Sequence, residues 1–140
     1  MEKFKYFEHT ADIEFEAYGF SLEEAFCNAA LAFYNSIVNL SEIEEREKIE
    51  VETEGFDLVN LLYNFLEELL FYFDTKGFLG KRVELKIEKN KKLKLKAKVF
   101  GEFFDESKHN YKTEIKAVTY HQMKVENKNG RWICHVILDI

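Results

Sequence analysis

The sequence is poor in the features that mark secreted, membrane-spanning and thiol-dependent proteins. Cysteine occurs only twice, without a Cys-x-x-Cys motif. Cys27 falls on an apolar helical face and Cys134 in a strand pattern, so we expect both to pack as small buried hydrophobes. The longest apolar run, Leu58–Phe73, is interrupted by two Asn and two Glu and is too short and polar to cross a bilayer. The residues after Met1 are charged and strand-like, unlike a signal peptide. We therefore expect a cytoplasmic protein without membrane contact.

Excess positive charge is also missing. The net charge of −6 argues against a protein that holds nucleic acid through its own phosphate contacts, although an acidic protein can still bind an RNA enzyme. Four lysines alternate with apolar residues and raise RNA binding as an alternative, but no aromatic stacking residues lie between them. Such lysines more often protect a solvent-facing or edge strand from pairing with other chains. We expect no direct, sequence-specific binding of nucleic acid. The four are Lys92, Lys94, Lys96 and Lys98.

Sequence motifs of self-contained enzymes are absent as well. There is no phosphate-cradling Gly-rich loop, no Gly-x-Ser-x-Gly elbow and no His-Glu-x-x-His pair. The spacing of the four histidines does not indicate a zinc site, and His121 and His135, each in a predicted strand, are expected to be buried and hydrogen-bonded. His109 could act as a general base, but no partnered Ser or Cys nucleophile accompanies it. A small metal-dependent hydrolase that uses Asp12, His109 and Asp139 remains the enzymatic alternative.

The composition of the sequence and its regular apolar patterns predict one packed domain over residues 1–140. The chain is 46% hydrophobic and 16% aromatic, enough for a core without covalent staples. Two amphipathic helices are predicted, one opened by Ser21 and Glu24 as a capping box and one capped by Asp57. Alternating residues predict the strands, and no internal repeat is evident. We expect an α+β two-layer sandwich, a mostly antiparallel sheet with both helices packed on one face. The predicted strands are Lys3–His9, Ile13–Tyr18, the second half of Ser41–Glu54, Val83–Glu88, Leu93–Val99, Ala117–Glu126 and Trp132–Asp139.

The segment Gly101–Met123 interrupts this regular pattern with a concentration of charged residues and histidines. A polar insert between strands is often only a loop. A bland loop would use Gly, Ser or Asn, however, whereas this insert is charged and lacks a nucleophile. We therefore predict a partner-facing surface rather than an active site, with Lys108, His109 and Glu114 as its main residues.

The last two residues form a second polar feature. A strand that ends at Asp139 and Ile140 places the Asp139 side chain close to the terminal carboxylate of Ile140. Two anionic groups this close repel each other unless a cation or a basic partner neutralises them. Hard cations such as calcium or magnesium take oxygen ligands of this kind. The chain end is therefore a candidate metal site, although many chains end in an acidic surface residue.

Several segments, taken together and in order, resemble the archease family over nearly the whole chain. The run Glu114–His121, reading EIKAVTYH, is the most specific of them. No motif position departs from the family pattern. The other segments are His9–Asp12, the helix start from Gly19 to Phe26, Gly101-Glu102, Lys108-His109 and Leu138–Ile140.

The resemblance implies a function that composition and periodicity do not. Archeases are non-catalytic activators of the catalytic subunit of the tRNA-splicing RNA ligase; they promote its guanylylation with GTP, support multiple turnover and broaden nucleotide use. The family carries a divalent ion, typically calcium, and the matching ligands here are Asp12, Asp139 and the Ile140 carboxylate. Lys108 and Glu114 match family positions tied to activation. A chaperone-like modulator of tRNA-modifying enzymes remains the alternative binding function.

Overall fold

The computed structural model describes residues 1–8 and 11–140. It contains two α-helices, α1 (Leu22–Ile37) and α2 (Leu58–Lys76), and a short 3-10 turn, Leu40–Glu42. The strands are β1 (Phe4–Phe7), β2 (Asp12–Gly19), β3 (Glu47–Gly55), β4 (Phe78–Lys89), β5 (Leu93–Phe103), β6 (Ala117–Val118), β7 (Lys124–Lys128) and β8 (Arg131–Asp139).

These strands form two antiparallel sheets. The first has the order β1-β2-β8-β6, with β7 also paired to β8, and the second has the order β3-β5-β4. Helix α1 contacts β2 and β8 of the first sheet and β4 of the second, while α2 contacts β3, β5 and β6. The α+β class, with two helices packed against antiparallel sheets, is confirmed. The sequence analysis expected one sheet with both helices on one face, whereas each helix contacts strands of both sheets.

The core explains why α1 has so little polar surface. Phe26, Phe33 and Tyr34 of α1 are fully buried, and alanines fill the positions between them. The Phe26 ring stacks on Phe65 of α2 with a centroid distance of 6.4 Å, which joins the two helices. A helix that contacts two sheets needs apolar residues over most of its circumference. The buried Cys134 and half-buried Cys27 add to these apolar surfaces.

The two helices start in the same way, an internal repeat that the sequence analysis missed. Each strand preceding a helix ends in Gly, an exposed Phe follows it, and a polar side chain then caps the helix. Ser21 accepts from the backbone N–H of its third following residue, and so does Asp57. A Cβ on Gly19 or Gly55 would approach backbone atoms of the first helical turn within 3.0 Å, so both positions require glycine. The strand pairing repeats as well. β2 pairs with the second strand of the β7–β8 hairpin, and β3 pairs with the second strand of the β4–β5 hairpin.

The segment predicted as a single strand, Ala117–Glu126, is instead two strands on either side of a turn. Both β6 and β7 pair with β8, and between them Gln122 adopts a left-handed backbone with φ of 53°. His121 lies in this turn and is exposed, so its predicted burial was wrong. His135 is partly buried and hydrogen-bonded to the Gln122 carbonyl and to Glu14, at 2.7 and 2.5 Å. Both strands run antiparallel to β8, so the chain keeps its direction through this turn, and no Gly or Pro in the segment signals it.

The lysines of β5 lie on the central strand of the second sheet, where they face solvent. The solvent-facing part of the prediction is confirmed, but β5 is not an edge strand. Carboxylates on β3 lie opposite all three lysines and carboxylates on β4 lie opposite Lys94 and Lys98, whereas Lys86 lies opposite Lys96; the carboxylates offset most of the lysine charge, which weakens the RNA-binding alternative. The registered pairs are Glu50 with Lys98, Glu52 with Lys96 and Glu54 with Lys94 on β3, and Glu84 with Lys98 and Glu88 with Lys94 on β4.

Within residues 1–8 and 11–140, neither helix has both the length and the apolar character needed to cross a membrane.

Candidate functional site

The register of β2 and β8 brings two predicted metal ligands together. Asp12 begins β2 and lies directly opposite Asp139, the last residue of β8. On the other side of β8, Ala117 of β6 is paired with Asp139, and the Lys116 N–H donates to the Asp139 carbonyl at 2.8 Å. Ile140 packs partly buried against the core. A site shared by Asp12 and Asp139 requires β2 and β8 to be neighbours, and they are.

The donor set at this end of the sheet fits a hard cation in its chemistry. The side chains of Asp12 and Asp139 and the terminal carboxylate of Ile140 offer only oxygen ligands. In the part of the chain that the structure describes, no three His, Cys, Asp or Glu side chains form a group that could hold a metal ion. His9 and Thr10 of the loop motif lie outside the described residues. Asp12 also lines an open groove with Tyr6, Asn35 and Lys112.

The insert is built around a buried carboxylate, Glu102 at the end of β5. Only 6% of Glu102 is exposed. Lys108 donates to both of its oxygens at 2.8 Å, and the Glu44 N–H and the His109 ring contact Oε2 at 2.8 and 3.0 Å. Burial alone would raise the pKa of Glu102, but hydrogen bonds from Lys108, Glu44 and His109 together lower it to about 2. Glu102 therefore remains ionised and ties three segments of the chain together.

His109 supports the insert from inside and does not face a partner. It is 3% exposed, and its ring lies against Phe104 at a centroid distance of 5.8 Å. The Asp105 N–H donates to Nδ1 at 2.9 Å, which leaves Nε2 to carry the proton donated to Glu102. Both ring nitrogens of this neutral tautomer are therefore occupied. The partner-facing assignment of His109 was wrong, and the same contacts leave it no free nitrogen for general-base catalysis.

Lys108 and Glu114, the other two insert residues, lie at accessible positions. The Lys108 side chain is 29% exposed and its ammonium also pairs with Glu44 at 2.9 Å. The hydrogen bond to Glu102 is the largest of the effects that raise the pKa of Lys108. Glu114 is exposed. The pKa of Asp74 on α2 is raised by partial burial and then by the charges of Glu114 and Glu67.

Backbone and side-chain contacts fix the path of the insert between these residues. The Lys112 N–H donates to the Ile37 carbonyl at 2.8 Å, at the end of α1. Asn110 is held by both oxygens of Glu42, at 2.7 and 3.0 Å. Ile115 is buried, and Lys116 then joins the insert to Asp139. The insert is therefore a packed segment that runs from the Glu102 cluster to the acidic end of β8.

Sequence reasoning missed the residues that complete this cluster from the other side. Glu44 and Arg46 lie in an acidic stretch that reads as solvated surface, and Glu42 belongs to the same stretch. Their contacts with Glu102, Lys108 and Asn110 span about sixty residues of sequence, a range in which periodicity carries no information. Arg46, a basic residue in a run dominated by Glu, was a compositional signal.

Comparisons with known proteins match this chain over nearly its full length. A sequence profile of the archease protein family matches residues 4–140. Protein archease of Pyrococcus abyssi is 51% identical over 142 residues, covering 100% of both chains. The solution structure of Methanobacterium thermoautotrophicum protein 1598 is 40% identical with a TM-score of 0.89, again covering 100% of both. A Thermotoga maritima crystal structure, described as an archease and possible chaperone, has a TM-score of 0.62 at 24% identity over 97% of this chain and 96% of that one, and shows the fold alone. The chain belongs to the archease family.

Proposed function

We propose that this protein is a non-catalytic cofactor of the tRNA-splicing RNA ligase. It binds the ligase catalytic subunit, promotes guanylylation of the ligase with GTP, supports multiple turnover and broadens nucleotide use. Family membership supports this proposal. The observation that carries it is the insert, which presents Lys108 and Glu114 from a packed segment that ends on the Asp12–Asp139 pair. A surface fixed before binding loses little conformational freedom when a partner docks.

A calcium ion is part of the proposal. Asp12, Asp139 and the Ile140 carboxylate would hold it through their oxygens, the ligand type that calcium takes. Bound there, the ion would offset the mutual repulsion of the carboxylates and supply positive charge for phosphate oxygens. The chain itself positions the two aspartates through the β2–β8 register and fixes the Asp139 backbone through the Lys116 N–H.

A chaperone-like modulator of tRNA-modifying enzymes is the second candidate. The solved Thermotoga maritima archease is described as a possible chaperone. Large exposed aromatic side chains favour this alternative, because Phe20 and Phe56 are 71% and 81% exposed at the two helix starts. The two candidates differ in a measurable step. A chaperone changes how much of its client is folded, whereas the proposed activator changes the guanylylation rate of a ligase that is already folded.

Replacing Glu114 with alanine is expected to slow activated guanylylation at least about fivefold, the lower end of typical coupling between binding sites. The side chain is exposed, so unfolding free energy should change by no more than about 0.5 kcal/mol. The measurement pairs the thermal midpoint with the rate of guanylate transfer to the ligase. Glu88→Ala, an exposed carboxylate on β4, is the matched control and should match the parent in both. Parent-like activation by Glu114→Ala would show that this residue does not face the ligase.

Lys108→Gln is expected to slow activation in the same assay, with a different effect on folding. Its ammonium pairs with the buried Glu102, so this variant should also lose stability, unlike an ordinary surface substitution. The rate is therefore compared at a temperature where circular dichroism shows both proteins folded. A folded Lys108→Gln variant that activates like the parent would remove Lys108 from the proposed surface.

A further inference from the structure

We infer that Lys108 and Arg46 form a carboxylate-binding site whose present occupant, Glu44, is exchanged for an acidic side chain of the partner protein. This inference rests on the proposed function for the identity of the partner. The site itself rests on contacts within this chain. Glu44 is thus an internal competitor that regulates access to Lys108.

The Glu44 carboxylate bridges two cations. Its Oε1 lies 2.9 Å from the Lys108 ammonium, and its Oε2 lies 3.0 and 3.1 Å from Nη2 and Nε of Arg46. Both oxygens of this carboxylate therefore face cationic donors. The pKa of Glu44 is lowered, first by the Lys108 hydrogen bond and then by the Arg46 charge. The two cations are therefore arranged around one carboxylate.

The Glu44 side chain can leave this position without moving the backbone. Its N–H is fixed to Glu102 Oε2 at 2.8 Å, and the Arg46 N–H is fixed to the Gly101 carbonyl at 2.9 Å. The Glu44 side chain, in contrast, is 56% exposed, and exposed side chains change rotamer within nanoseconds. Exchange therefore needs only a side-chain rotation. Because exposed ion pairs are weak, a partner group can compete with this one.

Charge balance favours a carboxylate over a phosphate as the incoming group. Lys108 and Arg46 carry two positive charges, and the buried Glu102 pairs with both of them. When Glu44 turns away, the two cations lose a singly charged partner, and one incoming carboxylate replaces it charge for charge. Glu47 and Asp105 line the same depression and add negative charge that disfavours a doubly charged group. A phosphate dianion would leave excess negative charge beside the buried Glu102. The net charge of −6 also disfavours approach of a nucleic-acid backbone.

The test removes the competitor and measures binding of a labelled polyglutamate peptide by anisotropy at low ionic strength. Glu44→Gln should bind the peptide at least roughly fivefold more tightly than the parent. In this variant the state in which Lys108 and Arg46 are free to bind a carboxylate is no longer a minor population. Glu45→Gln is the matched control, since it removes the same charge at the adjacent exposed position, where Glu45 pairs with Arg82. The gain should vanish in the double variant Glu44→Gln/Lys108→Gln.

Two further titrations complete the test. With inorganic phosphate, Glu44→Gln should show no comparable gain; a gain for phosphate but not for the peptide overturns the carboxylate assignment. With the ligase, Glu44→Gln should bind roughly fivefold more tightly than Glu45→Gln. Equal peptide binding by the two single variants overturns the inferred site. A gain for the peptide without any binding to the ligase supports the site and contradicts the proposed function.

Discussion

Replacing Asp139 with alanine is expected to abolish calcium binding. The proposed site has three carboxylates, and the loss of one leaves too few ligands for a cation that takes six to eight oxygens. The Asp139 carbonyl keeps its hydrogen bond from Lys116, and the side chain is exposed, so the fold should be retained. Calorimetric titration should show one calcium site in the parent and none in the variant. Activation of the ligase should fall with it.

An extended chain and a control variant make this prediction of calcium binding specific. Adding a residue after Ile140 converts the terminal carboxylate to an amide and should weaken calcium binding without removing a side chain. Glu88→Ala lowers the negative charge by the same amount as Asp139→Ala and should bind calcium like the parent. Calcium binding by Asp139→Ala that equals the parent's would rule out the site at the end of β8.

Replacing Glu102 with alanine is expected to lower the free energy of unfolding by about 3–5 kcal/mol, as when one partner of a buried ion pair is removed. The substitution leaves the buried His109 ring and the Glu44 N–H without their acceptor and removes the main partner of Lys108. Urea denaturation should show a lower midpoint with an unchanged slope. Glu47→Ala, an exposed carboxylate paired across from Gly101, should change stability by no more than about 0.5 kcal/mol.

The stability difference between the parent and Glu102→Ala should also depend on pH. The pKa of Glu102 is about 2 in the folded protein, below the ordinary value of 4.5. A carboxyl whose pKa is lowered by folding contributes its stability above the unfolded pKa and loses it as pH falls through the folded pKa. The difference should therefore be largest above about pH 4.5 and shrink toward pH 2. A difference that stays constant across this range would show that Glu102 acts only by packing.

The elements with strong periodicity were predictable from the sequence. The apolar stripes of α1 and α2 and their caps at Ser21 and Asp57 appear where local rules place them. The opposition of Asp12 and Asp139 depends on β2 and β8 being neighbours, which the sequence does not show, since alternation defines strands but not their neighbours. Division into two sheets was missed for the same reason.

The candidate site exceeds what local rules can predict. His109 is polar and lies in a charged segment, yet it is buried because Glu102 and the Asp105 N–H satisfy both ring nitrogens. Glu44 and Arg46 join it from another part of the chain and read in sequence as an ordinary charged surface. The repeat of the helix starts was missed because Gly19 and Gly55 share only a short Gly-Phe-polar-Leu pattern.

The central claim, activation of the ligase, is tested most directly by the rate of ligase guanylylation with GTP. The ligase is first allowed to complete one round of ligation, and this protein is then added in sub-stoichiometric amount or omitted. Repeated guanylylation and multiple ligation turnovers in its presence, with no guanylate transfer by this protein alone, are the predicted result. An identical rate of guanylylation with and without the protein, under conditions where both proteins are folded and calcium is present, would contradict the proposed function.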